Sequence, residues 1–172
     1  MFHVRLERPD DRSAVFDVVA RAFPTDAEAR LVDRLREAAV VTLSCVAERA
    51  GRVVGHLLFT PVRVEPEGMG ERFAALGLAP LSVHPHAQRS GVGHALMQMG
   101  LETCRDRRHP IVFVLGHADY YRRFGFVPAA AKGLHYSGGR SFDASFFVTE
   151  LDPGALAGRS GIVHYHAAFD AL

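Results

Sequence analysis

The chain of 172 residues has only two cysteines, Cys45 and Cys104, and both fall in segments of apolar pattern. Two thiols placed this way suit burial better than a disulfide framework, and they suggest no redox chemistry. The formal net charge is only +1, so no broad field exists to gather nucleic acid or an anionic membrane, and any anionic ligand must be held locally. No apolar run approaches the roughly 20 residues of a bilayer crossing. The first residues, MFHVRLERPDDR, are charged from the outset and lack the apolar core of a secretory leader, so a cytoplasmic protein is expected. Internal repeats, low-complexity tracts and long linkers are missing as well. One domain over 1–172 follows, large enough to bury its own core.

What is present is a regular alternation of elements. FHVRLE at residues 2–7 reads as a strand, and Pro9 and Asp10 open a helix that reaches about Phe23 before Pro24. A second helix spans roughly Asp26 to Ala38, with Ala29, Leu31, Val32 and Leu35 toward the core. Two β-rich runs from Val41 to Val64 pivot on Ala50 and Gly51 as an antiparallel hairpin, and a third run covers Phe73 to Val83. A helix from about Gly91 to Arg107 and the run Ile111–Gly116 then complete a strand–helix–strand crossover, expected to be right-handed and parallel. A short helix over about Asp119–Arg123 leads to Gly125, suited to a left-handed cap. SFFVTEL and GIVHYHAAF read as further strands, the last a candidate for pairing across a dimer. Monomer and homodimer both remain open.

The stretch HPHAQRSGVGHALM, residues 84–97, carries the chemistry. Pro85 takes the chain out of the sheet, and Gly91 and Gly93 arrive at the first turn of the next helix. Glycines there let backbone N–H groups approach a ligand, and the open helix end favours an anion. The alternative is a tight strand-to-helix turn with no ligand. A dinucleotide fingerprint fails, because Leu96 stands where Gly or Ala would be needed. A nucleoside-triphosphate loop fails too, since His94 and Ala95 replace its Lys-Ser/Thr ending.

Gln88-x-x-Gly91-x-Gly93 directly after LSVHP resembles the Q/R-x-x-G-x-G/A acyl-CoA loop of the GNAT superfamily of N-acyltransferases. Tyr121-x-x-Phe124-Gly125-Phe126, about thirty residues on, is similar to that family's second signature, and LAPLSVHP and FVLGHADYYRRFGF look like a bacterial branch with undefined acceptors. The resemblance implies an α/β (α+β) fold: a mixed sheet with a splayed parallel pair and helices on both faces. It implies acetyl-CoA as cosubstrate and a primary amine, on a small molecule or a peptide, as acceptor. The backbone of Leu81, Ser82 and Val83 would pair with the pantetheine arm. Gln88 and the amides of Arg89, Ser90, Gly91, Val92, Gly93 and His94 would hold the pyrophosphate. Tyr120 and Arg123 would lie near the cofactor.

Tyr121 takes the family's position for the acid that protonates the leaving thiolate. A phenol of pKa about 10 can serve a thiol of about 8.5. Tyr120 is its rival, because adjacent helical residues point about 100° apart. No general base is assigned: the motif strand FAALGLAPLSV lacks a carboxylate, and His84 and His117 only stand at the strand ends. That lack keeps a non-catalytic acyl-CoA-binding module as the second reading. His84-x-His86 and His164-x-His166 could each present two imidazoles, but neither has an evident third ligand, and no metal is expected. Neither nucleic acid nor membrane is an expected partner. Acceptor choice is expected from the Glu28–Arg36 helix, the 65–71 connection and the GLHYSGGRSFD segment.

Overall fold

Strand β1 (His3–Leu6) runs antiparallel to β2 (Leu43–Arg49), with His3 opposite Glu48 and Leu6 opposite Cys45. The computed structural model describes all 172 residues and resolves them into two compact units. The first unit comprises Met1–Phe59, Ala79–Glu102 and Ala167–Leu172; the second comprises Thr60–Leu78 and Thr103–His166. Strands β3 (Arg52–Glu65) and β4 (Phe73–Val83) contribute one half to each.

In the first unit, β2 folds back on β3 from Leu43 opposite Phe59 to Arg49 opposite Arg52. The two-residue turn places Ala50 at φ +49° and Gly51 at φ +74°. Two successive positive φ angles give the twist that matches a two-residue hairpin. Helix α1 (Arg12–Ala22) follows a short 3-10 turn at Pro9–Asp11, and α2 (Ala27–Glu37) follows the Pro24 break. The expected apolar face is the buried one: Ala29, Leu31, Val32 and Leu35 of α2 pack with Val15 and Val19 of α1 onto Val46 and Leu58. The other side of β3 approaches α3 (Val92–Asp106) so closely that a Cβ on Gly55 would come 2.8 Å from both Leu96 and Val92.

A buried polar cluster lies within this unit. Arg36 donates to the Glu7 carboxylate, the Ser44 hydroxyl donates to its other oxygen, and Ser44 Oγ is 2.9 Å from His56 Nε2. His56 is fully buried. Burial pushes its pKa below the ordinary value, although Glu7 pulls the other way. Burial would raise the Glu7 carboxyl, but hydrogen bonds from His56 and Ser44 and the charge of Arg36 leave it below the usual carboxylate range.

In the second unit, β5 (Ile111–Leu115) lies parallel to β4, with Leu76, Gly77 and Leu78 opposite Val112, Phe113 and Val114. With α3 between them in sequence, this is the expected crossover. After α4 (Ala118–Tyr121) come β6 (Val127–Pro128), β7 (Leu134–Tyr136), β8 (Phe146–Glu150) and β9 (Gly161–His164). Strand β8 pairs antiparallel with β5 and β6, while β9 pairs antiparallel with β3 and parallel with β7. The sheet order is β1-β2-β3-β4-β5-β8-β6, mixed with a parallel β4/β5 pair. Val62, Val64, Phe113, Phe146, Val148 and Val163 form the core of this unit. Gly77 is obligatory by packing, because a Cβ would meet the Tyr165 ring at 2.6 Å and Val62 at 2.8 Å.

One expectation changes. GIVHYHAAF is a strand only to His164, with Ala167–Ala171 a 3-10 turn, and β3 and β7 already occupy both edges of β9. It therefore offers no free edge to a second copy. The GLHYSGGRSFD segment, named above only for acceptor choice, contains β7 and a 3-10 turn at Arg140–Ser145.

The hairpin turn and the polar cluster each give an expected outcome. Ala50→Asn places a residue tolerant of positive φ in the turn and should stabilise the protein by about 0.5–1 kcal/mol in denaturant unfolding. The buried His56 takes up a proton less readily than the unfolded chain. Stability should therefore fall as pH drops below about 6.5. Melting curves for wild type and His56→Gln should show the flatter pH 7 to 5 dependence in the variant; equal slopes would remove His56 as the cause.

Candidate functional site: an open helix end and a tyrosine helix

The first unit holds the glycine stretch. The His84 N–H bonds to the Val54 carbonyl at 2.8 Å, fixing the point where β4 leaves the sheet. Pro85–Ala87 form a 3-10 turn, closed by Ala87 N–H to the His84 carbonyl at 2.7 Å. The Gln88 side-chain amide turns back to donate to the Val83 carbonyl at 3.1 Å, bracing the loop against the end of β4. Ser90 Oγ donates to the Ala87 carbonyl at 2.6 Å and accepts from Arg49 Nη2 at 3.0 Å.

Arg89 and Gly91 then adopt left-handed backbone, φ +57° and +87°. Left-handed residues interspersed in such a loop turn successive N–H groups toward one concavity suited to an anion. At the start of α3, Ala95 N–H bonds to the Gly91 carbonyl at 3.0 Å. The amides of Val92 and Gly93 precede it, at the positive end of a helix of 15 residues. The side chain of Val92 is in the core, so this residue can offer a ligand only its backbone. Space around Gly91 is open: a Cβ there would meet nothing within 4 Å. Its glycine is required by the backbone angle. Gln88, Arg89, Ser90, Gly91 and His94 are exposed. Leu81 and Val83 are half-buried at the end of β4, and Ser82 is buried with its hydroxyl lacking a hydrogen-bond partner.

His84 lies beside this loop with its ring stacked on His86 at 5.2 Å. Its Nδ1 accepts the His86 N–H at 3.3 Å, which puts the proton of the neutral ring on Nε2. Burial, then the charges of His86 and Arg21, push its pKa down. The exposed nitrogen of neutral His84 is a donor, which argues against a role as base through that atom. His164 Nε2 stands 3.2 Å from Glu65 Oε2. No group of three or more His, Cys, Asp or Glu side chains is placed to hold a metal ion.

The second unit holds the tyrosine helix. Gly116 N–H bonds to the Ser145 carbonyl at 2.8 Å, after which His117 opens α4. The chain continues through a 3-10 turn at Arg122–Phe124 to Gly125 at φ +83°, the left-handed cap expected there. The Tyr121 ring lies directly over Gly116, where any Cβ would collide with it, and packs edge-on against Phe126 at 5.7 Å. Tyr121 is buried. Burial, with a smaller contribution from Tyr120, pushes its phenol up to about 12. Such a group keeps its proton at any physiological pH.

The Tyr120 ring stands at 90° to that of Tyr121, 5.1 Å away. Its hydroxyl is buried with no hydrogen-bond partner. The Arg123 guanidinium covers its ring at 5.7 Å. Burial raises its pKa while Arg123 opposes the shift.

One further constellation was not evident in the sequence. His135 Nδ1 is 2.9 Å from Asp143 Oδ1, and Arg140 donates to His135 Nε2. Arginine has no lone pair to offer, so Nε2 accepts and the Nδ1 proton faces Asp143. The eight-residue separation within a glycine-rich stretch gave no periodic signal for this contact.

A family model described as Acetyltransferase (GNAT) domain matches residues 3–129. The uncharacterized N-acetyltransferase YhbS of Escherichia coli K12 is 35% identical over 168 residues, covering 97% of this chain and 98% of YhbS. The crystal structure of YhbS in complex with CoA superposes with a TM-score of 0.91 over 98% of this chain and 92% of that one. A GNAT family acetyltransferase from Brucella melitensis, in complex with acetyl-CoA, is 35% identical with a TM-score of 0.79, and 99% of each chain is covered. With the mixed sheet, the glycine loop and the tyrosine signature falling in order along these matches, the chain belongs to the GNAT family of N-acetyltransferases.

Proposed function

We propose that the protein transfers the acetyl group of acetyl-CoA to a primary amine of a small molecule or peptide, by direct attack on the thioester. The observation that carries this reading is the loop at Arg89–Gly93, with two left-handed residues and open amides at the start of α3. It is supported by the match to relatives whose structures contain CoA or acetyl-CoA.

Acetyl-CoA supplies an activated acyl carbon: the amine nitrogen forms the new C–N bond as the C–S bond breaks. The amides of Arg89, Ser90, Gly91, Val92, Gly93 and His94 bind the pyrophosphate through hydrogen bonds and the helix dipole. The backbone of Leu81, Ser82 and Val83 offers strand-like pairing to the pantetheine amides, with Gln88 keeping the end of that strand in place. Arg123, held over the Tyr120 ring, offers its exposed charge to a phosphate. The Tyr121 hydroxyl gives its proton to the departing sulfur. Tyr120 packs against the acid and holds it in position. The amine enters neutral and loses one N–H proton to solvent as the amide forms, and solvent returns a proton to the Tyr121 phenolate.

Tyr121→Phe should lower kcat roughly 100-fold or more while the KM for acetyl-CoA stays within about twofold, in a thiol-release assay with a panel of amines. Gly116→Ala, which drives a methyl into the Tyr121 ring, should also lower kcat. Full turnover in Tyr121→Phe would remove the phenol from the reaction. CoA binding without turnover of any amine in wild type would leave a binding module instead.

The rate dependence on pH follows from the same phenol. Tyr121 is active protonated and loses that form only as pH rises through about 12. Turnover should therefore show no loss assignable to it between about pH 7 and 10. A falling limb near pH 10 that disappears in Tyr121→Phe would contradict this.

A further inference from the structure

We infer that Arg49, on the β2–β3 hairpin, is a positioning residue for the loop that binds the CoA pyrophosphate, acting through the hydroxyl of Ser90. This rests on the proposed role of the loop. Three observations within the first unit carry it.

The hairpin end is a firm anchor. Arg49 pairs with Arg52 across a two-residue turn whose positive φ angles, at Ala50 and Gly51, fix its twist. The neighbouring carboxylate, Glu48, is taken by Arg5 at 2.7 Å and so does not neutralise Arg49. Arg49 instead lies 5.9 Å from the centre of the Phe2 ring, its Nε is buried without a hydrogen-bond partner, and Nη2 donates to Ser90.

Ser90 is the point where the loop can be held. It stands between Arg89 and Gly91, both left-handed. Arg89 has a Cβ and gains nothing from that conformation, so surrounding contacts must hold it there. The Ser90 hydroxyl uses its single proton on the Ala87 carbonyl at 2.6 Å, leaving its lone pairs for Arg49 at 3.0 Å. The charged donor strengthens the contact relative to a neutral one. The chain Arg49–Ser90–Ala87 thus ties both sides of the loop to the hairpin and keeps the amides after Arg89 convergent.

The test is a double-mutant cycle read by calorimetric titration of free CoA and by the KM for acetyl-CoA. Arg49→Ala and Ser90→Ala should each weaken CoA binding and raise that KM by about tenfold, with kcat at saturation within about twofold. Arg49→Ala/Ser90→Ala should be no worse than Ser90→Ala, because that variant already loses the Arg49 contact together with the bond to Ala87. Arg49→Lys, which can still donate to Ser90, should recover most of the affinity. Arg52→Ala, at the opposite position of the hairpin, should bind CoA like wild type. Wild-type CoA affinity in Arg49→Ala would overturn the assignment, as would losses that multiply in the double variant. Absence of CoA binding by wild type is a different result and refutes the loop's proposed role instead. Should Arg49→Ala fail to fold, Arg49→Met, which keeps an aliphatic stem but cannot donate to Ser90, takes its place: a tenfold loss of CoA affinity supports the assignment, and unchanged affinity overturns it.

Discussion

An anion can be held by main-chain N–H groups only where the fold leaves those groups without partners of their own and turns them toward one point. At the start of α3, Ala95 N–H reaches back to the Gly91 carbonyl, and the amides of Val92 and Gly93 come before it. Turning such groups toward one point depends on Arg89 and Gly91 staying left-handed. Gly91 does so at no steric cost, whereas Arg89 does not. Gln88 on Val83, Ser90 on Ala87 and Arg49 on Ser90 hold the backbone that would otherwise relax. The glycine permits this backbone, and polar side chains of the loop and the hairpin keep its shape.

The two units divide the candidate site residues. The first carries the glycine loop on the end of β4, backed by α3 packing so tightly on β3 that Gly55 has no room for a methyl. The second carries the tyrosine helix on the end of β5, where Gly116 makes room for the Tyr121 ring. Continuous strands β3 and β4 serve both units, and each unit has its own apolar core. The raised phenol pKa of Tyr121 follows from that burial among aromatic rings.

Much of this was legible in the sequence because the signals were local. Pro24 separated α1 from α2, Ala50-Gly51 marked the hairpin, and Gly91 and Gly125 fell at left-handed positions. The two family signatures identified the fold and the cosubstrate class. Strands β6 and β7 were not legible, since two or three residues are too few to show a period. Nor were the His135–Asp143 contact, the stacking of His84 on His86, or the use of Gln88 as a brace, all of which depend on side-chain directions. The sequence placed Tyr120 and Tyr121 side by side; only the structure distinguishes a ring covering Gly116 from one covered by Arg123.

The most direct measurement is thermal unfolding with acetyl-CoA, free CoA, NAD or ATP at equal concentration, for wild type and Gly91→Asp. A native-state ligand at about a hundredfold over its dissociation constant adds roughly 2.7 kcal/mol, or roughly 5 to 11 °C for a chain of this size. The account predicts that rise with the two CoA species alone and its loss in Gly91→Asp, where a carboxylate replaces hydrogen at a left-handed residue of the loop. No rise with either CoA species, or an equal rise with NAD, would contradict it.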